Sequence, residues 1–149
     1  FQNEHIIGNG SFGVVYQAES LPSLHRAGEV AIKLLRSDGG VGKAQLLSEL
    51  SLLSTCRHEN LLPLIGYCLD TDGLCLVTPL RRAGNFEDRL RCTPEGQGRL
   101  ALLGWRAAPP SLGWLTRLCC VRDAMRGLVY LHRPVGNKPH ILHRDVKVR

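Results

Sequence analysis

The sequence predicts an α+β fold in which a small antiparallel sheet is laid down first and helices follow. Three observations carry this. Val14-Val15-Tyr16 and Val30-Ala31-Ile32 are β-branched and aromatic runs separated by a loop containing Pro22 and Gly28, the composition of paired strands. Leu46, Leu47, Leu50 and Leu53 recur at the spacings of three, four and seven that place them on one helical stripe. Residues 115 to 132 form a longer amphipathic stretch, apolar at Leu115, Leu118, Cys119, Ala124, Met125, Leu128 and Leu131, polar at Arg117, Arg122, Asp123 and Arg126.

A chain of 149 residues with 44% hydrophobic and 21% charged content belongs with globular domains, which at this size bury about 70% of their unfolded surface. No apolar run approaches the ~20 residues a membrane-spanning helix needs. The net charge of +6 is scattered and has no interleaved aromatic residues on which bases could stack, which argues against nucleic acid as a partner. Six cysteines (Cys56, Cys68, Cys75, Cys92, Cys119, Cys120) show no C-x-x-C spacing. Buried, reduced thiols in a cytoplasmic protein are expected, with neither a zinc site nor a disulfide framework. Phe1 stands where a complete chain would carry Met, so the front is expected to be missing.

In chain order, the first motif is Gly8-Asn9-Gly10-Ser11-Phe12-Gly13. A G-x-G-x-x-G run serves a dinucleotide fold when a helix opens on it, and a phosphate-covering hairpin when strands flank it. Val14-Val15-Tyr16 favours the second reading; a plain glycine-rich turn stays open as the alternative. Lys33 follows within Glu29-Val30-Ala31-Ile32-Lys33-Leu34-Leu35. A lysine among apolar neighbours is costly to desolvate unless it meets an anion, although a solvent-facing lysine is the commoner fate. Val41 to Thr55 is the first helix; it carries Glu49, sixteen residues after Lys33, either as that lysine's partner or as an exposed glutamate. Short strands are expected at Leu64–Leu69 and Leu74–Thr78 around Asp70-Thr71-Asp72-Gly73. Pro79, with no N–H for a ladder, ends the second of them. Phe86 to Leu90 begins a helix, and residues 93–111, rich in Gly, Pro and Ala, read as a surface insertion loop. After the long helix, the chain reaches His143-Arg144-Asp145-Val146-Lys147, a motif that alone could be a solvated basic turn.

With the glycine loop, V-A-I-K around Lys33, Glu49 and H-R-D-x-K in this order, the chain resembles a eukaryotic protein kinase. More closely it is similar to the interleukin-1 receptor-associated kinase and Pelle group, neighbours of the plant receptor-like kinases. That closer match rests on Cys56-Arg57-His58-Glu59-Asn60-Leu61, Leu74-Cys75-Leu76-Val77, Glu87-Asp88-Arg89-Leu90, Leu112-Gly113-Trp114 with Arg117, and Gly127-Leu128 with Tyr130-Leu131-His132.

The resemblance implies a protein-kinase-like α+β fold: an antiparallel N-lobe over 1–80 with its αC helix, a hinge and first C-lobe helix over 81–92, the 93–111 insertion, and a C-lobe helix and catalytic-loop start over 112–149. It implies ATP and Mg²⁺ as cofactors, with Gly8, Gly10 and Gly13 over the phosphates and Ile7, Val15 and Ala31 around the adenine. Lys33 would hold the α- and β-phosphates, oriented by Glu49. Thr78 would stand at the gatekeeper position, with the Pro79 carbonyl and the Arg81 N–H on the adenine edge. Asp145 would be the catalytic base, with Lys147 neutralising the transferred group and Arg144 contacting a phosphorylated activation loop. The implied activity is ATP-dependent serine/threonine phosphorylation of a protein substrate, in a receptor–adaptor complex of innate immune signalling. Thr78 departs from the tyrosine usual in this subgroup, and Asn85-Phe86 from its Ser-Leu. The metal-binding Asn and the D-F-G aspartate are expected beyond residue 149. The fragment alone is therefore expected to be inactive, and the apolar face of its long helix to be exposed. The alternative is an inactive kinase-like protein that serves as a binding or scaffold module.

Overall fold

The computed structural model describes residues 6–10, 13–19, 21, 28–35, 42–70, 73–107, 109–144 and 146–147. They fall into two compact units, Phe1–Thr55 with Leu62–Arg81, and Cys56–Leu61 with Arg82–Arg149.

The first unit is a five-stranded sheet with one helix. Its strands are β1 (Ile6–Gly10), β2 (Gly13–Ala18), β3 (Val30–Leu35), β4 (Gly66–Asp70) and β5 (Gly73–Pro79), and α1 (Gly42–Thr55) lies between β3 and β4 in the chain. Every pairing is antiparallel, in the spatial order β1-β2-β3-β5-β4. Pro79 closes β5 as its missing N–H requires; the next residue, Leu80, donates its own N–H to the Glu29 carbonyl at 3.0 Å.

Register decides which side chains share a face. Ala18 pairs with Val30 and Tyr16 with Ile32, and Ile32 pairs in turn with Val77. Val30, Ile32 and Val77 are buried, and Ala18, Leu21, Ile65 and Cys75 pack around them. This face is the unit's apolar core, and alternation sends the intervening residues to the other side.

On α1 the predicted leucine stripe is only partly buried. Leu50 is enclosed, while Leu47 and Leu53 are exposed at 43% and 40%. Spacing puts residues on one side of a helix, but only packing partners bury them. The cysteines depart from expectation for a similar reason. Cys56 is buried, Cys68 and Cys119 are exposed, and Cys75, Cys92 and Cys120 lie between.

The second unit contains α2 (Phe86–Arg91), α3 (Pro94–Leu102) and α4 (Trp114–His132). The 93–111 stretch is thus not all loop. Thr93 caps α3 by accepting the Gly96 N–H at 3.2 Å, and Pro94 takes a first-turn position where an N–H would have no partner. Gly96 and Gly98 weaken the helix intrinsically, so tertiary anchors must supply the balance. Leu100 is buried, and its side chain fills the space that a Cβ at Gly84 would need; the Gly84 backbone has φ +76°. Arg99 reaches back to Asp88 on α2 through Nε at 3.0 Å and through a second, shorter contact from its terminal nitrogen.

Asp88 is only 3% exposed. Its carboxylate also accepts from the Asn85 side-chain amide nitrogen at 2.9 Å, while the Asn85 side-chain oxygen Oδ1 accepts the Asp88 N–H at 2.7 Å. The hydrogen bond that Arg99 donates to the Asp88 carboxylate, and the carboxylate's charge, raise the pKa of Arg99 above the usual guanidinium value. Arg99→Ala should destabilise this unit by about 1–3 kcal/mol, the cost of a buried acceptor that loses a partner. The low end is expected because Asn85 stays in place and Arg99 is itself 43% exposed. Chemical denaturation of the variant reads this directly; an unchanged midpoint would show that Asp88 is satisfied without Arg99.

Trp105 fastens the chain beyond α3. Its indole N–H donates to the Arg82 carbonyl at 2.7 Å, Arg82 donates to the Leu103 carbonyl at 2.6 Å, and the Arg89 guanidinium lies 5.2 Å from the indole centroid. Of α4, only Gly127 and Leu131 are buried; Leu115 is 76% exposed, and Leu118, Val121, Met125 and Val129 are also exposed.

Candidate nucleotide and phosphoryl-transfer site

β1 and β2 form the hairpin expected of the glycine motif: Gly10 pairs with Gly13, Asn9 with Val14 and Gly8 with Val15. The ladder is irregular between Ile6 and Gly8, which leaves Ile7 at the bulge. Gly13 has φ +144°, and a Cβ there would lie 2.1 Å from the Leu34 carbonyl oxygen. Gly8 differs, since a Cβ would meet only the Val15 side chain at 3.6 Å.

The central feature is the face opposite the core. Val15 pairs with Lys33 and Lys33 with Leu76, while Gln17 pairs with Ala31 and Ala31 with Thr78. With Gly8 across from Val15, the sheet presents Gly8, Val15, Ala31, Lys33 and Thr78 on one side. Lys33 is half-buried there. Alternation sends the Lys33 side chain to the non-core side of the sheet, beside Val15 and Leu76. Small side chains beside a cation leave room for a ligand with a planar apolar part and an anionic tail, as ATP has.

Two residues on this face escaped the sequence reading. Leu76 stands directly across from Lys33, and Gln17 across from Ala31. The signal was available, because Leu76 is two residues from Thr78 and Gln17 two from Val15, and residues two apart in a strand share a face. Pro79 pairs with Val30 on the core side, so only its backbone is available to a ligand on the Lys33 face. Arg81 is exposed just beyond the strand. Glu49 falls on α1, and its side chain lies outside the described residues.

In the second unit, the segment leading to the H-R-D motif is tied to α4. Lys138 is 4% exposed; its ammonium donates to the carbonyls of Leu131 and Pro139, both at 3.0 Å, and lies 5.0 Å from the Tyr130 ring centroid. Ile141 donates its N–H to Leu131 at 3.0 Å. Tyr130 in turn accepts the Arg57 N–H at 3.0 Å and stacks on His58. Gly127 allows the 56–61 segment to approach, since a Cβ there would lie 3.0 Å from the Asn60 carbonyl oxygen. Arg144 has φ +61°, a left-handed backbone that an arginine rarely adopts and that redirects the chain just before Asp145. Asp145 itself lies outside the described residues, and Lys147 is exposed. Among the described residues, no group of three or more His, Cys, Asp or Glu side chains is placed to hold a metal ion.

The sheet, the lysine on its non-core face and the H-R-D segment define a protein kinase domain. The family profile for protein tyrosine and serine/threonine kinases matches residues 1–149, and the chain belongs to that family. It is 40% identical over 150 residues to the leucine-rich repeat receptor protein kinase MSL1 of Oryza sativa subsp. japonica, a match covering 99% of this chain and 9% of that protein. It is 33% identical to the serine/threonine-protein kinase CDG1 of Arabidopsis thaliana, over 99% of this chain and 30% of that protein. Identity to the PTI1-like tyrosine-protein kinase 2 of the same plant is 34%, over 99% of this chain and 37% of that protein. The chain thus spans well under half the length of these relatives.

Proposed function

We propose that the protein is an ATP-dependent kinase that phosphorylates serine or threonine on a protein substrate. The observation that carries this is the register placing Gly8, Val15, Ala31, Lys33 and Thr78 on one face of the sheet, opposite the core, in a chain of the kinase family. ATP with Mg²⁺ supplies the phosphoryl group and neutralises its charge. Lys33 holds the α- and β-phosphates and Glu49 orients it. The backbone of Pro79 and Arg81 bonds the adenine edge, beneath Thr78. Asp145 accepts the proton of the substrate hydroxyl, and Lys147 offsets charge on the transferred oxygens. The choice of serine/threonine over tyrosine is supported by Lys147 in H-R-D-x-K and by relatives such as CDG1 that carry that description.

The finer reading places the protein in the interleukin-1 receptor-associated kinase and Pelle group, acting in the cytoplasm within a receptor–adaptor complex of innate immune signalling. Its support is the set of subgroup residues from Cys56 to Leu61 and from Glu87 to Leu90. The test is phosphoryl transfer from labelled ATP by the full-length gene product, followed by phosphoamino-acid analysis. Asp145→Asn should lower the rate by about 10²–10⁴-fold, the usual worth of a general base. Nucleotide binding without transfer, unchanged by the substitution, would instead define a binding module.

A further inference from the structure

β4 and β5 bring two thiols into direct opposition. Cys68 and Cys75 are register partners, two pairs along the ladder from Asp70 and Gly73. Directly opposed antiparallel residues have Cα atoms about 4.5–5.5 Å apart, within the roughly 4.4–6.8 Å that a disulfide spans. Neither residue is in a disulfide here. Their surroundings differ in a way that assigns roles. Cys68 is exposed, on the edge strand β4. Cys75 is half-buried and packs against Val30, Ile32 and Val77. The first can be reached by a small oxidant, and the second is held in place to react with it. The remaining cysteines lie outside the sheet: Cys56 and Cys92 follow helices, and Cys119 and Cys120 are consecutive on α4.

We propose that Cys68 and Cys75 form an oxidation site that a peroxide closes into a cross-strand disulfide. The Cys68 sulfur, as thiolate, attacks one peroxide oxygen and the O–O bond breaks; the other oxygen leaves as hydroxide, which takes up the proton the thiol released to give water, and Cys68 becomes a sulfenic acid. The Cys75 sulfur then attacks the Cys68 sulfur, the S–O bond breaks, and the hydroxyl leaves with the Cys75 proton as a second water. Two thiols have lost two electrons and one peroxide has gained them.

The bond is built to be reversible. Opposed residues hold their Cβ atoms about 4.5–5.5 Å apart, whereas a disulfide draws them to roughly 3.5–4.5 Å. Closure therefore pulls β4 towards β5, and a disulfide formed under such tension is readily reduced. β5 also carries Leu76 opposite Lys33 and Thr78 opposite Ala31, so the pull falls on the strand beside Lys33.

The experiment treats the folded protein with hydrogen peroxide, blocks remaining thiols by alkylation and analyses a tryptic digest by mass spectrometry. One tryptic peptide, His58 to Arg81, holds both cysteines. The expected product is this peptide lighter by two hydrogens and unalkylated, restored to the doubly alkylated form by dithiothreitol. Cys75→Ser should stop Cys68 at its sulfenic acid, trapped by dimedone, and Cys68→Ser should leave Cys75 alkylated. The proposal is overturned if Cys68 passes to sulfinic acid while Cys75 stays reduced, or if Cys68 links to another cysteine or another molecule. The same yield of internal disulfide from urea-unfolded chain would also overturn it, since strand register would then play no part.

Discussion

Lys33→Met is expected to cut phosphoryl transfer by about 10²–10³-fold, the loss seen when one pre-set donor to a developing charge is removed. The ladder explains why the effect should be confined to chemistry. Lys33 sits between Val15 and Leu76 on the non-core face, and methionine keeps an unbranched stem of similar length. The core of Val30, Ile32 and Val77 lies on the other side and is untouched. Thermal unfolding should therefore shift little while turnover collapses. The check is a paired measurement on the full-length gene product: initial rate and melting temperature for wild type and variant. A variant that keeps its rate removes Lys33 from the site, and one that loses rate and fold together shows a structural role instead.

Gly13→Ala should be far more damaging than Gly8→Ala in the glycine motif. The backbone there is in a region that L side chains rarely adopt, and the new Cβ would sit 2.1 Å from the Leu34 carbonyl oxygen. A strained backbone of this type costs about 1–3 kcal/mol by itself. The contact is with main chain of β3, so relief requires moving the strand that carries Lys33. Loss of stability and loss of nucleotide affinity should arrive together. Gly8→Ala is the control, because its Cβ meets Val15 at an ordinary 3.6 Å. Urea midpoints and ADP affinity for the two variants give the comparison; equal behaviour would refute the distinction.

Much of the first unit was legible because its signals are local. β-branched runs, the glycine hairpin and Pro79 each mark strands through backbone preferences that need no distant partner. Lys33 was half legible: sequence offered a phosphate ligand or a solvent-facing lysine, and only the pairing with Val15 and Leu76 showed its face. α3 was missed although Thr93-Pro94 is a recognisable start signal. Gly96 and Gly98 argued against a helix, and the contacts that hold it, Arg99 to Asp88 and Leu100 beside Gly84, span eleven and sixteen residues of sequence. The leucine stripe on α1 erred in the opposite direction, since periodicity groups residues on a side of a helix but does not tell what covers them, and Leu47 and Leu53 are exposed. Arg144's left-handed backbone had no sequence signal at all.

The alternation that sets Lys33 apart from the core also makes the gene intolerant of particular length changes. Deleting the codon for Ala31 would turn every later side chain of β3 over, sending the lysine into the Val77 layer and Ile32 to the opposite face. No compensating substitution at a neighbouring position could repair that, because the fault is one of parity. Codons added between Ala18 and Val30 leave the pairing parity of β2 and β3 unchanged; doubling the length of a flexible connection costs only about 0.6 kcal/mol in closure entropy. Splice variants and natural alleles should accordingly differ in length between the second and third strands and keep the ladder in frame.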